Sequence, residues 1–155
     1  MSNAPGPLVI GRSARAYRLP IVIDSELPKT DQMEIGRAVL LELADGRLLY
    51  IRERFVSDAH STPVWSWSVL PAFNNKTNLA AYAHDYLYMR WEEFAAVNEN
   101  LPADGRAYAD SVYLELMERM NPGRFRNRLY YAGVRLFGGL NWQRFRAKGG
   151  QFDTS

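Results

Sequence analysis

The first third of the chain carries short β-branched and apolar runs broken by turn residues, and the remainder carries apolar residues at helical spacing. Ala38-Val39-Leu40-Leu41-Glu42-Leu43 and Arg47-Leu48-Leu49-Tyr50-Ile51 flank Ala44-Asp45-Gly46. Asp-Gly supplies the positive-φ residue of a tight hairpin, so these two runs are predicted to pair. Arg52-Glu53-Arg54-Phe55-Val56 either prolongs the second strand or begins a third. Tyr17-Arg18-Leu19-Pro20-Ile21-Val22-Ile23 is rich in β-branched residues but carries a proline, which confines it to a sheet edge or the approach to one. A polar linker with Pro28 follows it, and Trp65 and Trp67, at alternating positions before Pro71, fit a short strand or helical turn over the core.

From Asn78 the period changes. Ala80, His84, Leu87, Tyr88 and Trp91 line one side of a predicted helix, with candidate caps among Asn74, Asn75, Thr77 and Asn78, running to about Arg90 or into Trp91–Phe94. A second helix, roughly Arg106 to Met120, places Asp110, Tyr113, Leu114 and Met117 together and stops at Asn121-Pro122-Gly123. A third spans about Phe125 to Phe137 and ends at Gly138-Gly139, after which Leu140-Asn141-Trp142 folds back on the body. Strands first and helices afterwards predict an α+β fold: a small antiparallel sheet, formed around the N-terminal hairpin, packed against a bundle of about three helices. The expected organisation is an extended N-terminal arm over residues 1–16, a single globular domain over 17–145 and a polar tail over 146–155.

With 155 residues, 47% of them apolar, the chain suits one core. Lacking cysteine, it has no disulfide, thiolate metal site or cysteine nucleophile. Its start has neither the basic nor the apolar region of a signal peptide, and no apolar run is long enough to span a bilayer, so a soluble protein is expected. The net charge of +2 is unevenly spread: Arg119, Arg124, Arg126, Arg128, Arg135, Arg144, Arg146 and Lys148 face only Glu118 and Asp153. That quarter is read either as a solvated helix face or as a surface for phosphate, anionic lipid or an acidic partner. No nucleic-acid module, Gly-rich phosphate loop or His-Glu-x-x-His helix is present.

The chemistry concentrates on His84 and Asp110, each a polar residue on an apolar stripe. Short connections make neighbouring helices antiparallel, which puts the two within reach. A carboxylate on one ring nitrogen fixes the tautomer and raises the basicity of the other, preparing a general base. Tyr88, one turn after His84, can donate its hydroxyl to a carboxylate on the facing helix, and Asp85 reaches the same rim. Asp58 and His60 add a second candidate set, and His60 with Asp85 would be the ligands of a divalent cation. The alternative reading is a buried structural pair that fixes helix register.

Four segments together resemble a phage and prophage family, domain of unknown function 1353: Phe55-Val56-Ser57-Asp58-Ala59-His60-Ser61-Thr62-Pro63, His84-Asp85-Tyr86-Leu87-Tyr88, Ala109-Asp110 and Val134-Arg135-Leu136-Phe137-Gly138. Ala59 and His60 depart from that family's Gly-Ala at the first motif. The resemblance implies a phage origin, a place in the virion or host cytoplasm, and partners among virion proteins or the host envelope. His84-Asp85-Tyr86-Leu87-Tyr88 with a later Asp110 also resembles the helix pair of secreted phospholipases, without their cysteines or Gly-rich calcium loop. That likeness implies His84 as base, Asp85 as a calcium ligand, and Tyr88 and Asp110 as the groups that orient the histidine. The expectation is therefore a hydrolase with a His-Asp dyad, or a non-catalytic structural or adaptor component of a phage particle.

Overall fold

A computed structural model of the chain describes residues 6–15, 21–22, 32–57 and 76–148. Asp58, His60, Trp65 and Trp67, on which part of the sequence reading fell, lie outside the described residues. The elements in order are β1 (Leu8–Ile10), β2 (Ile21–Val22), β3 (Met33–Ile35), β4 (Val39–Glu42), β5 (Leu48–Ile51), β6 (Val56–Ser57), α1 (Asn78–Met89), α2 (Trp91–Val97), α3 (Gly105–Met120), α4 (Phe125–Phe137) and α5 (Gly139–Ala147). The fold is α+β.

The hairpin forms where Asp45-Gly46 predicts it. Val39 pairs with Ile51 and Leu41 with Leu49, and Gly46 takes φ +86° in the turn. Side-chain alternation then divides the two strands: Val39, Leu41, Leu49 and Ile51 are fully buried, while Leu48 and Tyr50 stand outside. Among the described residues two three-stranded sheets form, ordered β1-β4-β5 and β2-β3-β6. The second is antiparallel throughout, but β1 runs parallel to β4, Leu8 against Val39 and Ile10 against Leu41. The first sheet is therefore mixed, not purely antiparallel. A parallel neighbour needs a long connection, and the chain from Ile10 to Val39 supplies one. Within the stretch expected as an arm, Leu8–Ile10 is thus a sheet strand, and Ile10 belongs to the core.

Among the described residues there are five helices, where about three were expected. The first helix ends at Met89, and Arg90, with φ −128° and ψ 35°, separates it from α2. Leu140-Asn141-Trp142, expected only to fold back, lies within α5. The two later predicted helices match α3 and α4 closely, because their ends are chemically marked. Asp104 caps α3 by accepting from the Ala107 amide at 2.9 Å. Beyond α3, Gly123 takes φ +71°, and the Glu118 carboxylate accepts from the Gly123 amide and the Asn127 side-chain amide.

At the centre is α1, buried on nearly every side from Asn78 to Tyr88 with only Asp85 half-buried. Ala80, Ala81 and Ala83 let neighbours approach closely, and Leu79, Tyr82 and Leu87 fill the space between the helices and the sheets. It packs mainly on α3, with α2, α5, β5 and β6 around the remainder. The buried Arg119 of α3 ties this body to the strands, donating to the carbonyls of Gly11 and Glu42 at 3.2 and 3.1 Å.

Candidate functional site

His84 lies in the middle of α1 and Asp110 in the first half of α3, and the two helices cross so that their side chains meet. His84 Nε2 is 2.9 Å from Asp110 Oδ1. Tyr88 Oη donates to the same oxygen at 2.7 Å, and Arg135 Nη1 of α4 donates to Oδ2 at 2.8 Å. Arg106, one turn before Asp110, stands 3.8 Å from Oδ2 and anchors its guanidinium on the Val134 carbonyl at 3.0 Å. Going up α1 from His84 to Tyr88 means going down α3 from Tyr113 to Arg106, so the pair is antiparallel.

Asp110 is entirely shielded from solvent and His84 is 8% exposed. The imidazole sits between two phenol rings, Tyr88 at 4.3 Å and Tyr113 at 4.7 Å between centroids. Its second nitrogen, Nδ1, lies 3.8 Å from Asp85 Oδ1, beyond direct hydrogen-bond distance and within the reach of a bridging water. The other oxygen of Asp85 accepts from the Ser57 hydroxyl at 2.6 Å. His84 therefore has a carboxylate at each nitrogen.

Electrostatics follow from that cradle. Burial alone would raise the pKa of Asp110, but the hydrogen bonds from His84, Tyr88 and Arg135 outweigh it and hold the carboxyl below its usual 3.8. Burial alone would lower the pKa of His84, but the bond to Asp110 and then the influence of Asp85 outweigh it and move the imidazole above 6.5. The Tyr88 hydroxyl is pushed well up by burial and by its bond to Asp110, so it remains a donor.

Of the residues singled out in the sequence, His84, Asp85, Tyr88 and Asp110 come together, while Asp58 and His60 lie outside the described residues. Among the described residues no group of three or more His, Asp or Glu converges as a metal set. Calcium takes six to eight oxygens, and of the described residues Asp85 alone stands where the phospholipase likeness would put a ligand, so no calcium cage is assembled from them. Two cavities bordered by described residues lie elsewhere, one of about 160 Å³ beside Arg52, Arg54 and Arg90 and one of about 210 Å³ beside Tyr50, Tyr86 and Val97.

Arg135 and Arg106 are the members the sequence reading missed. In the sequence Arg135 stands both in the basic C-terminal quarter and in the Val134–Gly138 motif, without a link to Asp110, yet it shares a side of α4 with Asn127 and Tyr131 at four-residue spacing, and Asn127 is buried. A cation on that side needs an internal partner, and Asp110 is the acid that meets it. Arg146 is likewise turned inward, onto the Tyr88 carbonyl at 2.7 Å and over the Trp142 ring. Gly138, between α4 and α5, allows the close approach of the Tyr88 hydroxyl: a Cβ there would stand 2.6 Å from it.

Comparison with curated proteins and with solved structures found no match. A family model does match, over residues 33–134, its description being a protein of unknown function, DUF1353. The matched span runs from β3 into α4 and takes in His84, Asp85, Tyr88 and Asp110. By a match over most of its length, with the buried His84–Asp110 pair inside it, the chain belongs to the DUF1353 family.

Proposed function

We propose that this is a hydrolase in which His84 acts as general base on water. The observation that carries the reading is the cradle of Asp110: an ionised carboxylate bound by Tyr88 and Arg135 holds Nε2 of His84 and leaves Nδ1 as the working nitrogen. In the step this geometry supports, Nδ1 takes a proton from water as the water oxygen attacks an ester or phosphoester. The proton then passes to the departing alkoxide, and Asp110 stabilises the intermediate imidazolium. Tyr88, Arg135 and Arg106 are positioning residues, since they act through Asp110. A base must be neutral, so the activity rises with pH as His84, whose pKa lies above 6.5, loses its proton. The motif resemblance supports a phage-derived setting for this chemistry, in the virion or at the host envelope.

The test is hydrolysis of nitrophenyl esters, a phosphodiester, phospholipid and peptidoglycan by the wild type, His84→Gln and Asp85→Asn. Turnover of one class by the wild type, reduced about 10²–10⁴-fold in His84→Gln, supports the reading. No turnover of any class, or turnover unchanged in His84→Gln, overturns it. A second reading has its own observation: the ring is 8% exposed and packs against the rings of Tyr88 and Tyr113. On that reading His84 and Asp110 are a buried pin in a structural or adaptor component of a phage particle. A wild type without turnover, together with a large loss of stability in His84→Gln, is its signature.

A further inference from the structure

Helix α4 is apolar on two faces, and among the described residues only one of them is covered. Tyr130 and Val134 face the body, along with the buried Asn127. On the opposite side Phe125, Leu129, Ala132 and Leu136 follow at four, seven and eleven residues, a stripe along one side of the helix roughly 16 Å long. Phe125 is 72% and Leu136 75% exposed, and at the corner with α5 Phe137 is 79% and Leu140 69% exposed. Four large apolar side chains in water, three on α4 and Leu140 at the start of α5, are more than scattered surface residues. Arg124, Arg126 and Arg128 stand exposed around the start of the stripe, with Arg144 on α5 and Lys148 just after it. No acidic residue occurs between Arg119 and Phe152.

From this juxtaposition we infer that the outer face of α4 and the α4–α5 corner form a docking surface for an anionic lipid bilayer. Charge decides among occupants. A second copy of the chain, meeting this face symmetrically, would set the same arginines against one another. A nucleic acid would engage the arginines but leave Phe125, Leu136 and Phe137 in water. An anionic membrane satisfies both: a convex amphipathic helix lies in the headgroup region with its aromatic and leucine side chains in the acyl boundary and its cations at the phosphates. The inference does not rest on the hydrolase reading. It does place the surface beside the cradle, because Arg135, one residue before Leu136, is bound to Asp110.

The experiment is co-sedimentation of the full chain with vesicles of phosphatidylcholine alone and of phosphatidylcholine mixed with phosphatidylglycerol, at low and high salt. The wild type is expected to bind the anionic vesicles, with affinity falling as salt rises. Leu136→Glu combined with Phe137→Glu is expected to weaken binding by about 10-fold or more, with an unchanged melting curve because both side chains are exposed. Arg126→Ala combined with Arg128→Ala weakens binding to the anionic vesicles and reduces its salt dependence. Absence of vesicle binding, equal binding to both compositions, or a wild-type dimer that the Leu136 and Phe137 changes convert to monomer would each overturn the inference.

Discussion

Replacing Asp110 by Asn keeps the size of the side chain and removes its charge, and the surrounding donors make the cost calculable. Asp110 accepts from His84 Nε2, Tyr88 Oη and Arg135 Nη1 and has no contact with water. An asparagine that keeps its oxygen at the Oδ1 position turns an N–H toward Arg135, donor against donor. If it is rotated the other way, the N–H meets Tyr88 and His84. Either orientation loses at least one hydrogen bond to a charged group, worth about 1.5–3 kcal/mol, and leaves a shielded donor unpaired. Rotation of the Tyr88 hydroxyl and a change of tautomer at His84 recover part of this, so a loss of about 2–4 kcal/mol is expected. For a chain of this length that corresponds to a fall in melting temperature of about 5–15 °C. Urea unfolding of the wild type and Asp110→Asn measures it directly. A loss below about 0.5 kcal/mol would refute the cradle, because no arrangement of these three donors on one shielded carboxylate is indifferent to its charge.

Stability should also depend on pH in a defined window. Asp110, with its pKa lowered, contributes fully above its ordinary 3.8 and loses that contribution as pH falls through the lower folded value. His84, with its pKa raised, contributes fully below its ordinary 6.5 and loses that contribution as pH rises through the higher folded value. Both contributions are therefore complete between 3.8 and 6.5, and urea unfolding across pH should show the alkaline decline flattened in His84→Gln; an unchanged decline would count against the ion pair. Gly138→Ala should cost about 1–3 kcal/mol by driving a methyl against both the Tyr88 hydroxyl and the Val134 carbonyl, and a thermal-melt cycle with Tyr88→Phe should recover only the part that the hydroxyl contributes.

The legible parts of the fold were those whose chemistry is local. Asp45-Gly46 announces the hairpin and Asn121-Pro122-Gly123 marks the end of α3, whereas the continuously apolar Leu48-Leu49-Tyr50-Ile51 shows a strand but not which of its faces is buried. What escaped depends on partners far along the chain. Met33–Ile35 is too short to stand out beside a polar linker, and it is a strand because Met33 and Glu34 pair with Ser57 and Val56. Leu8–Ile10 is one because β4 lies beside it. The break at Arg90 carries no proline or glycine to mark it. His84 and Asp110 were legible as a pair because each is polar on an apolar stripe. Arg135 was not, since an arginine among arginines looks like surface until the helix it belongs to is laid against α3.

The contrast between α1 and α5 sets how the molecule opens. α1 is wrapped on nearly all sides, so its mid-helix amides should exchange with solvent only when the whole domain unfolds. α5 has no fully buried residue and is held by the Trp142 contacts with Tyr88 and Trp91 and by Arg146 on the Tyr88 carbonyl. Its amides should exchange first among the helices, through a partial opening that lifts Trp142 from Tyr88 and uncovers one flank of the Asp110 cradle while the rest of the domain stays folded.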